Sequence, residues 1–345
     1  MSVGRWHPSA ETWKRRSVEL LIGSVILLPS LLYPLARDQG LFSYVGQIIV
    51  DGGAPYRDVY EQKGPATHYT FALIVATFGT TTIGVRLLFF LAALAGTQLA
   101  AAIGGALAGG SARLTCAACY ALVALQAHPL GPWMFGQVED IILPLILGAV
   151  LLLGRERGVA SWPRVVAASA LLGLCFAYKP TTILPSVTIA AVSIGLAVVY
   201  FRAWLPVGLR LFVAAAAFAA PATSFSLYLH AIGAFGDLWT FVVDHNLHVY
   251  SQLHSGTVHD GLLVFATYFG GIGLLAACGV AVGRRRAPLL WTLLWALIVS
   301  SLGMVVWQWK FFILYHWTVF AGGLSIAAGV MLAKVFDWGV EASRR

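Results

Sequence analysis

The hydrophobic residues of this chain are concentrated in long runs, and the polar residues are gathered between them. The runs cover residues 17–36, 81–106, 112–126, 138–153, 165–184, 185–201, 209–230, 261–282, 288–307 and 311–335. A helix that crosses a membrane needs about 20 predominantly apolar residues. The pattern therefore predicts an all-α polytopic integral membrane protein with about ten transmembrane helices.

The composition excludes an ordinary soluble protein. Of the 345 residues, 59% are hydrophobic and 10% are charged, whereas about 25% of residues are charged in soluble domains. The first run has the length of a membrane span and lacks a small-x-small cleavage site, so we expect a retained helix rather than a signal peptide. Because the spans use most of the chain, we expect residues 1–345 to form a single transmembrane domain without a separate soluble domain.

The basic residues predict the orientation in the membrane. With the N-terminus in the cytoplasm, the cytoplasmic segments hold 16 of the 22 Lys and Arg residues. These are Arg5, Lys14, Arg15, Arg16, Arg113, Arg155, Arg157, Arg164, Arg202, Arg210, Arg284, Arg285, Arg286, Lys334, Arg344 and Arg345. Cytoplasmic loops are enriched in Lys and Arg, so both termini are predicted to be cytoplasmic. The formal net charge of +8 then reflects topology, and we expect no nucleic-acid partner.

The opposite face carries two long connections, residues 37–80 and 231–260, which hold most of the candidate chemistry. In the first, apolar positions at helical spacing over 41–50 predict an amphipathic helix on the membrane surface. Asp38 is expected at the outer end of the first helix, where partial burial can tune a carboxylate for base work. Arg57 and Lys63 follow as two cations suited to an anionic phosphate beside that base. The alternative is that these charges are only interfacial anchors and ion pairs.

The same loop carries a recognisable pattern. Asp38-x-Gly40-x-x-x-Tyr44, then Gly53-x-Pro55-Tyr56-Arg57-Asp58, then Gln62-Lys63-Gly64-Pro65 resembles the first outer loop of the GT-C superfamily of polytopic glycosyltransferases. It is most similar to the bacterial branch related to protein O-mannosyltransferases and lipid A aminoarabinose transferases. Weaker matches follow at Arg86, Glu139-Asp140, Lys179-Pro180, Asn246, Tyr250 and Tyr315-His316.

The resemblance implies a GT-C-like fold in a bacterial inner (plasma) membrane, with the active site facing outward. It also implies a polyprenyl-phosphate-linked sugar donor and an envelope acceptor that is a glycan, a lipid or a protein. Asp38 would be the general base of an inverting transfer, and Lys63 and Arg57 would stabilise the leaving phosphate. Tyr56 and Gln62 of the same loop are assigned to the acceptor or the sugar.

Other cations are candidates for the phosphate site. Lys179 lies near the outer end of the predicted span 165–184, where an ionisable residue is a functional candidate and snorkelling to the interface is the alternative. Pro180 and Pro185 are expected to break the helix there and to open a polar cavity. Lys310 and His316 flank the start of the last span and are assigned to the same site, with snorkelling or capping as the alternative.

Acidic and histidine residues of the outer face are candidates for acceptor binding. Glu139 and Asp140 open the fourth predicted span and are assigned to the acceptor or the sugar, as are Asp244 and His245 in the second loop. The second loop also holds His248, His254 and His259, which raises the possibility of a metal site. Related proteins often have Asp-Glu where this chain has Asp38-Gln39, which weighs against a metal-assisted mechanism. We assign no metal ligand and no cofactor, and a divalent metal is not favoured.

Two functions other than sugar transfer remain open from the sequence. A transporter or a flippase of lipid-linked sugars would also use a membrane-depth lysine and helices broken by proline. Such a protein is expected to show charges near the midplane and internal symmetry, whereas this chain gathers its charges at one face. A noncatalytic scaffold would not need Asp38, Arg57 and Lys63 together. We therefore predict a membrane glycosyltransferase.

Overall fold

The computed structural model describes residues 10–125, 134–154, 160–201, 204–253, 256–283 and 286–344. Over these residues the protein is all-helical, as predicted. Its main helices are α1 Ala10–Leu27, α2 Arg37–Val50, α3 Pro65–Phe78, α4 Thr82–Ala108, α5 Gly110–Ala124, α6 Val138–Gly154, α7 Trp162–Tyr178, α8 Ile183–Phe201, α9 Trp204–Ala231, α10 Val258–Val264, α11 Gly270–Gly283, α12 Pro288–Gln308 and α13 Thr318–Ser343. The predictions for Gln126, His254, Arg5, Arg155, Arg157, Arg202, Arg284, Arg285 and Arg345 lie outside the described residues.

The helices identify an integral membrane protein. Within the described residues, five helices are long and apolar enough to cross a membrane, and a bent pair near the N-terminus brings the number to six. The five are Thr82–Ala108, Val207–Ala231, Val258–Gly279, Pro288–Gln308 and Leu314–Ser343. Several other predicted spans correspond to shorter apolar helices, such as α5 with 15 residues and α7 with 17 residues. The total of ten spans stays a prediction.

The N-terminal end of the chain is bent rather than continuous. A 3-10 turn, Leu28–Leu32, follows α1, and α2 starts at Arg37, with an angle of 80° between the two helical segments. Pro29 and Pro34 lie in this region, and proline cannot donate the backbone hydrogen bond that a helix interior requires. The expected position of Asp38 at the end of the first helix is therefore wrong. Asp38 lies in the first turn of α2, which starts four residues before the predicted helix 41–50.

The predicted span 165–184 is interrupted at Lys179. Helix α7 ends at Tyr178, and Lys179 adopts an extended conformation with φ −149° and ψ 107°. The residue before a proline is disfavoured in the α region, so Pro180 explains the break. Pro185 does not break the chain again, because it lies in the first turn of α8, where the missing N–H has no helical partner to lose.

The last predicted span is also shorter than expected at its outer end. Helix α13 begins at Thr318 rather than at Phe311, and a 3-10 turn, Leu314–Trp317, precedes it. The Trp317 indole N–H donates to the Phe311 carbonyl at 3.0 Å, which fixes this turn. Non-helical backbone inside a membrane protein is tolerated where it is buried or lines a cavity. The breaks at Lys179 and at His316 meet at such a place.

The core is built by close approach of helices. Helices α4 and α13 both pack against α5, and they meet it at Cys116, where Gly104 and Gly329 leave no room for a side chain. The Cys116 thiol donates to the Ile326 carbonyl at 3.3 Å. Small residues permit such contacts between membrane helices. All four cysteines are free thiols, and Cys116 and Cys175 are buried.

Candidate functional site

A cavity of about 540 Å³ lies between α7, α8, α9, the end of α12 and the second outer loop. Most of its wall is apolar, with Phe176, Ile183, Trp239, Val242, Leu247 and Trp307 among the lining residues. Its polar lining includes Lys63, Lys179, Lys310, His316, Gln62, Asn246 and Tyr250. Three ammonium groups beside an apolar wall suit a ligand with an anionic head and an apolar chain.

Lys179 is the centre of a buried polar chain. Its ammonium group forms an ion pair with Glu139 and contacts Nδ1 of His316 at 3.2 Å. Glu139, Lys179 and His316 are exposed by only 2%, 5% and 1%. The Lys179 side chain is therefore held inside the protein, and snorkelling toward the interface does not describe it. The break before Pro180 is what brings this side chain to α6 and to the start of α13.

Unlike Lys179, Lys63 has an ammonium group that is available to a ligand, and two hydrogen bonds hold its backbone. The Lys63 amide donates to the Glu61 carboxylate at 2.7 Å, and its carbonyl accepts from the Tyr56 hydroxyl at 2.7 Å. In the part of the chain that the structure describes, the ammonium group forms no hydrogen bond or ion pair. Burial by itself would lower the pKa of Lys63, but the nearby carboxylates Glu139 and Glu61 raise it. Lys63 is thus a positively charged group in the cavity wall, and none of the described residues is its partner.

Lys310 is engaged with the second outer loop. Its ammonium group donates to the carbonyls of Tyr250 at 3.1 Å and Leu253 at 3.0 Å, and it lies 3.2 Å from the centre of the Tyr250 ring. Such a cation–π contact is favourable when the cation is shielded from water. Burial, together with the positive charges of Lys63 and Lys179, lowers the pKa of Lys310 to about 8. Lys310 therefore joins the loop to the chain just before the last span.

Asp38 does not line the cavity, but its charge acts on two groups that do, Lys63 and Tyr250. Its side chain is 18% exposed and contacts Arg37 at 3.5 Å. Burial is the main cause of the raised pKa of Tyr250, and the negative charges of Glu139 and Asp38 raise it further. Asp38 is also among the carboxylates that raise the pKa of Lys63. The Asp38 carboxylate and the Lys63 ammonium group in the cavity wall are therefore within electrostatic reach of each other.

The residue after Asp38 faces the protein interior. The Gln39 side-chain carbonyl accepts from the Ala36 amide at 2.9 Å and from Arg86 at 2.8 Å, and its NH₂ donates to the Phe135 carbonyl at 2.7 Å. Arg86 also donates to the carbonyls of Tyr33, Pro34 and Phe135. These bonds fix the start of α2, which carries Asp38, to the segment that leads into α6.

The side chains of Asp140 and Arg57 bind other parts of the protein and do not face the cavity. The Asp140 carboxylate accepts from the amides of Gly136 at 2.7 Å and Gln137 at 3.1 Å, so it caps the start of α6. Arg57 pairs with Asp58 at 2.9 Å and donates to the Ile232 carbonyl at 2.8 Å. The structure brings neither residue to the cavity wall.

Tyr56 and Gln62 have structural contacts of their own. Tyr56 is buried, adopts a positive φ of 71° and donates to the Lys63 carbonyl, so it shapes the turn that presents Lys63. Gln62 lines the cavity, and its backbone carbonyl accepts from the Asn246 side chain at 3.0 Å. Of the two, Gln62 is the one that faces a ligand in this cavity.

The second outer loop contacts the first through aromatic and amide groups. The Tyr60 hydroxyl lies 3.0 Å from Nε2 of His245, and the Tyr60 ring packs edge-on against Phe241. Asp244 is exposed, and its backbone carbonyl lies 3.1 Å from Nδ1 of His248. Among the described residues, no three His, Cys, Asp or Glu side chains come together as a metal site would require.

Comparison with known proteins defines the fold. No family model and no curated protein matches the sequence. The structure is similar to that of ArnT from Cupriavidus metallidurans bound to undecaprenyl phosphate, with a TM-score of 0.66 and 18% identity over 94% of this chain. It is also similar to the archaeal oligosaccharyltransferase AglB from Archaeoglobus fulgidus, in complex with an inhibitory peptide and a dolichol-phosphate, with a TM-score of 0.58, 12% identity and 94% coverage.

The chain shares its fold with GT-C membrane glycosyltransferases. The resemblance inferred from the first outer loop is thus confirmed at the level of the fold. The chain spans 60% of the length of ArnT and 50% of the length of AglB.

Within this GT-C-like fold, Glu61 and Gln39 have structural roles that were not predicted from the sequence. Glu61 holds the Lys63 amide and lies 3.4 Å from Nε2 of His68. Short side chains such as those of Asp and Asn commonly form such contacts, whereas a glutamate at this spacing carries no comparable signal. Gln39 shares a helical face with Phe42, Ser43 and Gly46, all buried. A polar side chain on a buried face requires hydrogen-bond partners, and this requirement was the available clue.

Proposed function

We propose that this protein is a membrane glycosyltransferase that moves a sugar from a polyprenyl-phosphate-linked donor to a cell-envelope acceptor. The observation that carries the proposal is the cavity, whose apolar wall meets the Lys63 ammonium group within electrostatic reach of Asp38. The apolar wall matches a polyprenyl chain, and Lys63 matches a phosphate. The lipid phosphates bound by ArnT and AglB support the same ligand class.

The proposed reaction is an inverting displacement at the anomeric carbon. An acceptor hydroxyl attacks that carbon, Asp38 takes the hydroxyl proton, and the bond between the anomeric carbon and the phosphate oxygen breaks. Polyprenyl phosphate leaves with the bonding electrons and gains one negative charge. A cation already in place at Lys63 stabilises this charge more in the transition state than in the ground state. The acceptor is a glycan, a lipid or a protein of the envelope.

The orientation proposed for the enzyme follows from its charges. The distribution of basic residues supports a non-cytoplasmic position for the loop that carries Asp38 and Lys63, and we propose a bacterial inner membrane with both termini in the cytoplasm. Nucleotide sugars are cytoplasmic, so an outward-facing transferase requires a sugar carried by a membrane lipid. The donor class and the topology therefore support each other.

The variant Asp38→Asn tests this function. Asparagine keeps the size of aspartate but cannot accept a proton at neutral pH. Transfer from a polyprenyl-phosphate sugar by the purified variant should fall by a factor of about a hundred or more, while binding of the lipid donor is retained. Near-normal transfer would remove Asp38 as the base. A flippase would move the lipid across the membrane in this variant as in the wild type. Lipid movement without sugar transfer by the wild-type protein would therefore favour the flippase.

A further inference from the structure

The His316 side chain has one partnered and one unpartnered nitrogen. Nδ1 lies 3.2 Å from the Lys179 ammonium group, and Nε2 is buried without a hydrogen-bond partner among the described residues. His316 is 1% exposed and lines the cavity. Buried polar atoms in proteins nearly always have a partner, so an unpartnered atom in a cavity wall points to a ligand.

The contact with Lys179 fixes which nitrogen carries the proton. Pairing with the Glu139 carboxylate favours the ammonium form of Lys179, and an ammonium group can only donate hydrogen bonds. Nδ1 of His316 is therefore the acceptor and holds no proton. If Nδ1 of His316 also carried a proton, the positively charged ring would face the Lys179 ammonium group, and the two would repel each other. The neutral ring consequently carries its proton on Nε2.

The surroundings of Nε2 select the kind of acceptor. Lys63 and Lys310 line the same cavity, and no Asp or Glu is among its described lining residues. A group placed there meets positive charges and an N–H donor together. Phosphate oxygens accept such bonds and carry the matching charge, whereas a sugar hydroxyl would leave the cations unbalanced.

We propose that His316 donates a hydrogen bond from Nε2 to a phosphate oxygen of the ligand in this cavity. Lys179 and Glu139 are then positioning residues, which act on the ligand through the orientation and tautomer of His316. This inference rests on the proposed function for the identity of the phosphate ligand. When the donor phosphodiester becomes a phosphate monoester, the oxygen gains charge and the bond from Nε2 strengthens. His316 should therefore contribute more to kcat than to the KM of the donor.

Binding to defined ligands tests this assignment. The probes are polyprenyl phosphate, dodecyl phosphate and inorganic phosphate, added to the purified full-length protein in detergent. Replacing His316 by Phe, which keeps the ring but has no donor, should weaken lipid-phosphate binding by about tenfold to a hundredfold. The variant His316→Gln can present an amide N–H near the position of Nε2 and should recover most of that loss. Thermal unfolding in the same detergent checks that both variants fold.

A spectroscopic measurement separates the positioning role from a merely structural one. The ¹⁵N signals of His316, assigned by comparison with His316→Gln, should show a protonated Nε2 and an unprotonated Nδ1 in the wild type. In Lys179→Met the two tautomers should mix, even where the protein remains folded. A wild-type ring protonated at Nδ1, or no change in Lys179→Met, would overturn the proposal.

The two proposals fail in different ways. Equal lipid-phosphate binding by wild type and His316→Phe overturns the role of His316 and leaves the proposed function standing. Absence of sugar transfer, with phosphate binding that depends on His316, removes the glycosyltransferase and leaves the phosphate contact. A wild type that binds none of the three phosphate probes overturns both. If only the lipid phosphates bind, and they depend on His316, the apolar wall is supported as the site of the chain.

Discussion

The two outer loops are held in different ways. The first loop, residues 37–80, is fixed by buried and partly buried hydrogen bonds, including those of Gln39, Tyr56 and Glu61. The second, residues 231–260, exposes apolar side chains such as Leu247 and Leu253. Its first part packs with the first loop, because Leu238 and Val242 share a small buried cluster with Tyr56. Residues 245–253 are attached mainly through polar contacts, among them those of Asn246 and Lys310. The first loop therefore presents charges at fixed positions, whereas residues 245–253 of the second loop form a part of the cavity wall that can be released by breaking few bonds.

This difference has consequences for the proposed chemistry. A preorganised cation stabilises developing charge without rearrangement, which suits Lys63 on the first loop. A lipid-linked substrate has a long chain that must enter the cavity, which suits a loosely attached wall. Variants of the first loop should thus change the reaction step most, and variants of the second should change access and affinity.

The largest effect is expected for Lys63→Ala. Removing the only described cavity cation without a partner should reduce transfer by about a hundredfold or more and weaken binding of polyprenyl phosphate. Folding should be retained, because the turn is held by the Lys63 backbone. Lys63→Arg keeps a positive charge and is the matched control. Full activity in Lys63→Ala, measured as initial rates with a polyprenyl-phosphate sugar, would contradict the assigned role.

The sequence was sufficient to predict much of the helical architecture and less of the contacts that position individual side chains. Long apolar runs predicted helices, and most helices lie within a few residues of the predicted spans. Lys63, Lys179, Lys310 and His316 line one cavity although they are far apart in sequence. They were assigned to one phosphate site because all four were expected near the same membrane face, and the order of the predicted spans determines that face.

The sequence could not predict which polar partner each side chain takes. Asp140 caps a helix and Arg57 pairs with its neighbour Asp58, although both types of residue also bind ligands. Such choices depend on distances of a few ångströms between segments, which spacing along the chain does not determine. The helix breaks before Arg37 and at Lys179 had local proline signals, but the tertiary contacts that follow them, those of Gln39 and Glu139, had none.

The next largest effect is expected for Gln39→Leu. This change removes the bonds to Ala36, Arg86 and Phe135 and so loosens the start of α2. Because catalysis is sensitive to small displacements of a reacting group, transfer should fall by about tenfold to a hundredfold. The loss should appear in kcat rather than in donor affinity.

Gln39→Glu is the matched control for that prediction. A glutamate keeps an oxygen for the Ala36 amide and for Arg86, and it loses only the donor to Phe135. It should retain most of the activity that Gln39→Leu loses. If the two variants were equally impaired while both remained folded, the link between the Gln39 contacts and Asp38 would be wrong.

A smaller and pH-dependent effect is expected at Lys310. Burial and the charges of Lys63 and Lys179 lower its pKa to about 8, so the folded protein loses this proton as the pH rises through about 8. The neutral amine has a weaker attraction for the Tyr250 ring, and residues 250–253 should then be released. Hydrogen exchange of these residues, corrected for the intrinsic rate, should increase above about pH 8.

A rise in pH acts in the opposite direction on the contribution of Lys310 to the stability of the whole protein. Between about pH 8 and the usual lysine pKa near 10.5, the unfolded chain binds more protons at this position than the folded protein. The contribution of Lys310 to the free energy of unfolding therefore rises with pH in that window. In Lys310→Met the loop should exchange rapidly at every pH, and in Lys310→Arg, which stays charged, it should remain protected. A wild-type loop that is insensitive to pH would exclude Lys310 as its attachment.

The smallest effect is expected for Arg57→Ala. Arg57 lies only six residues before Lys63, but its guanidinium group is half-exposed and binds Asp58 and the Ile232 carbonyl. Exposed ion pairs contribute little, so transfer should change by less than about threefold. Measured beside Lys63→Ala under the same conditions, this variant separates two cations of one loop by their surroundings alone. A loss as large as that of Lys63→Ala would mean that Arg57 leaves Asp58 and reaches the phosphate when the donor binds.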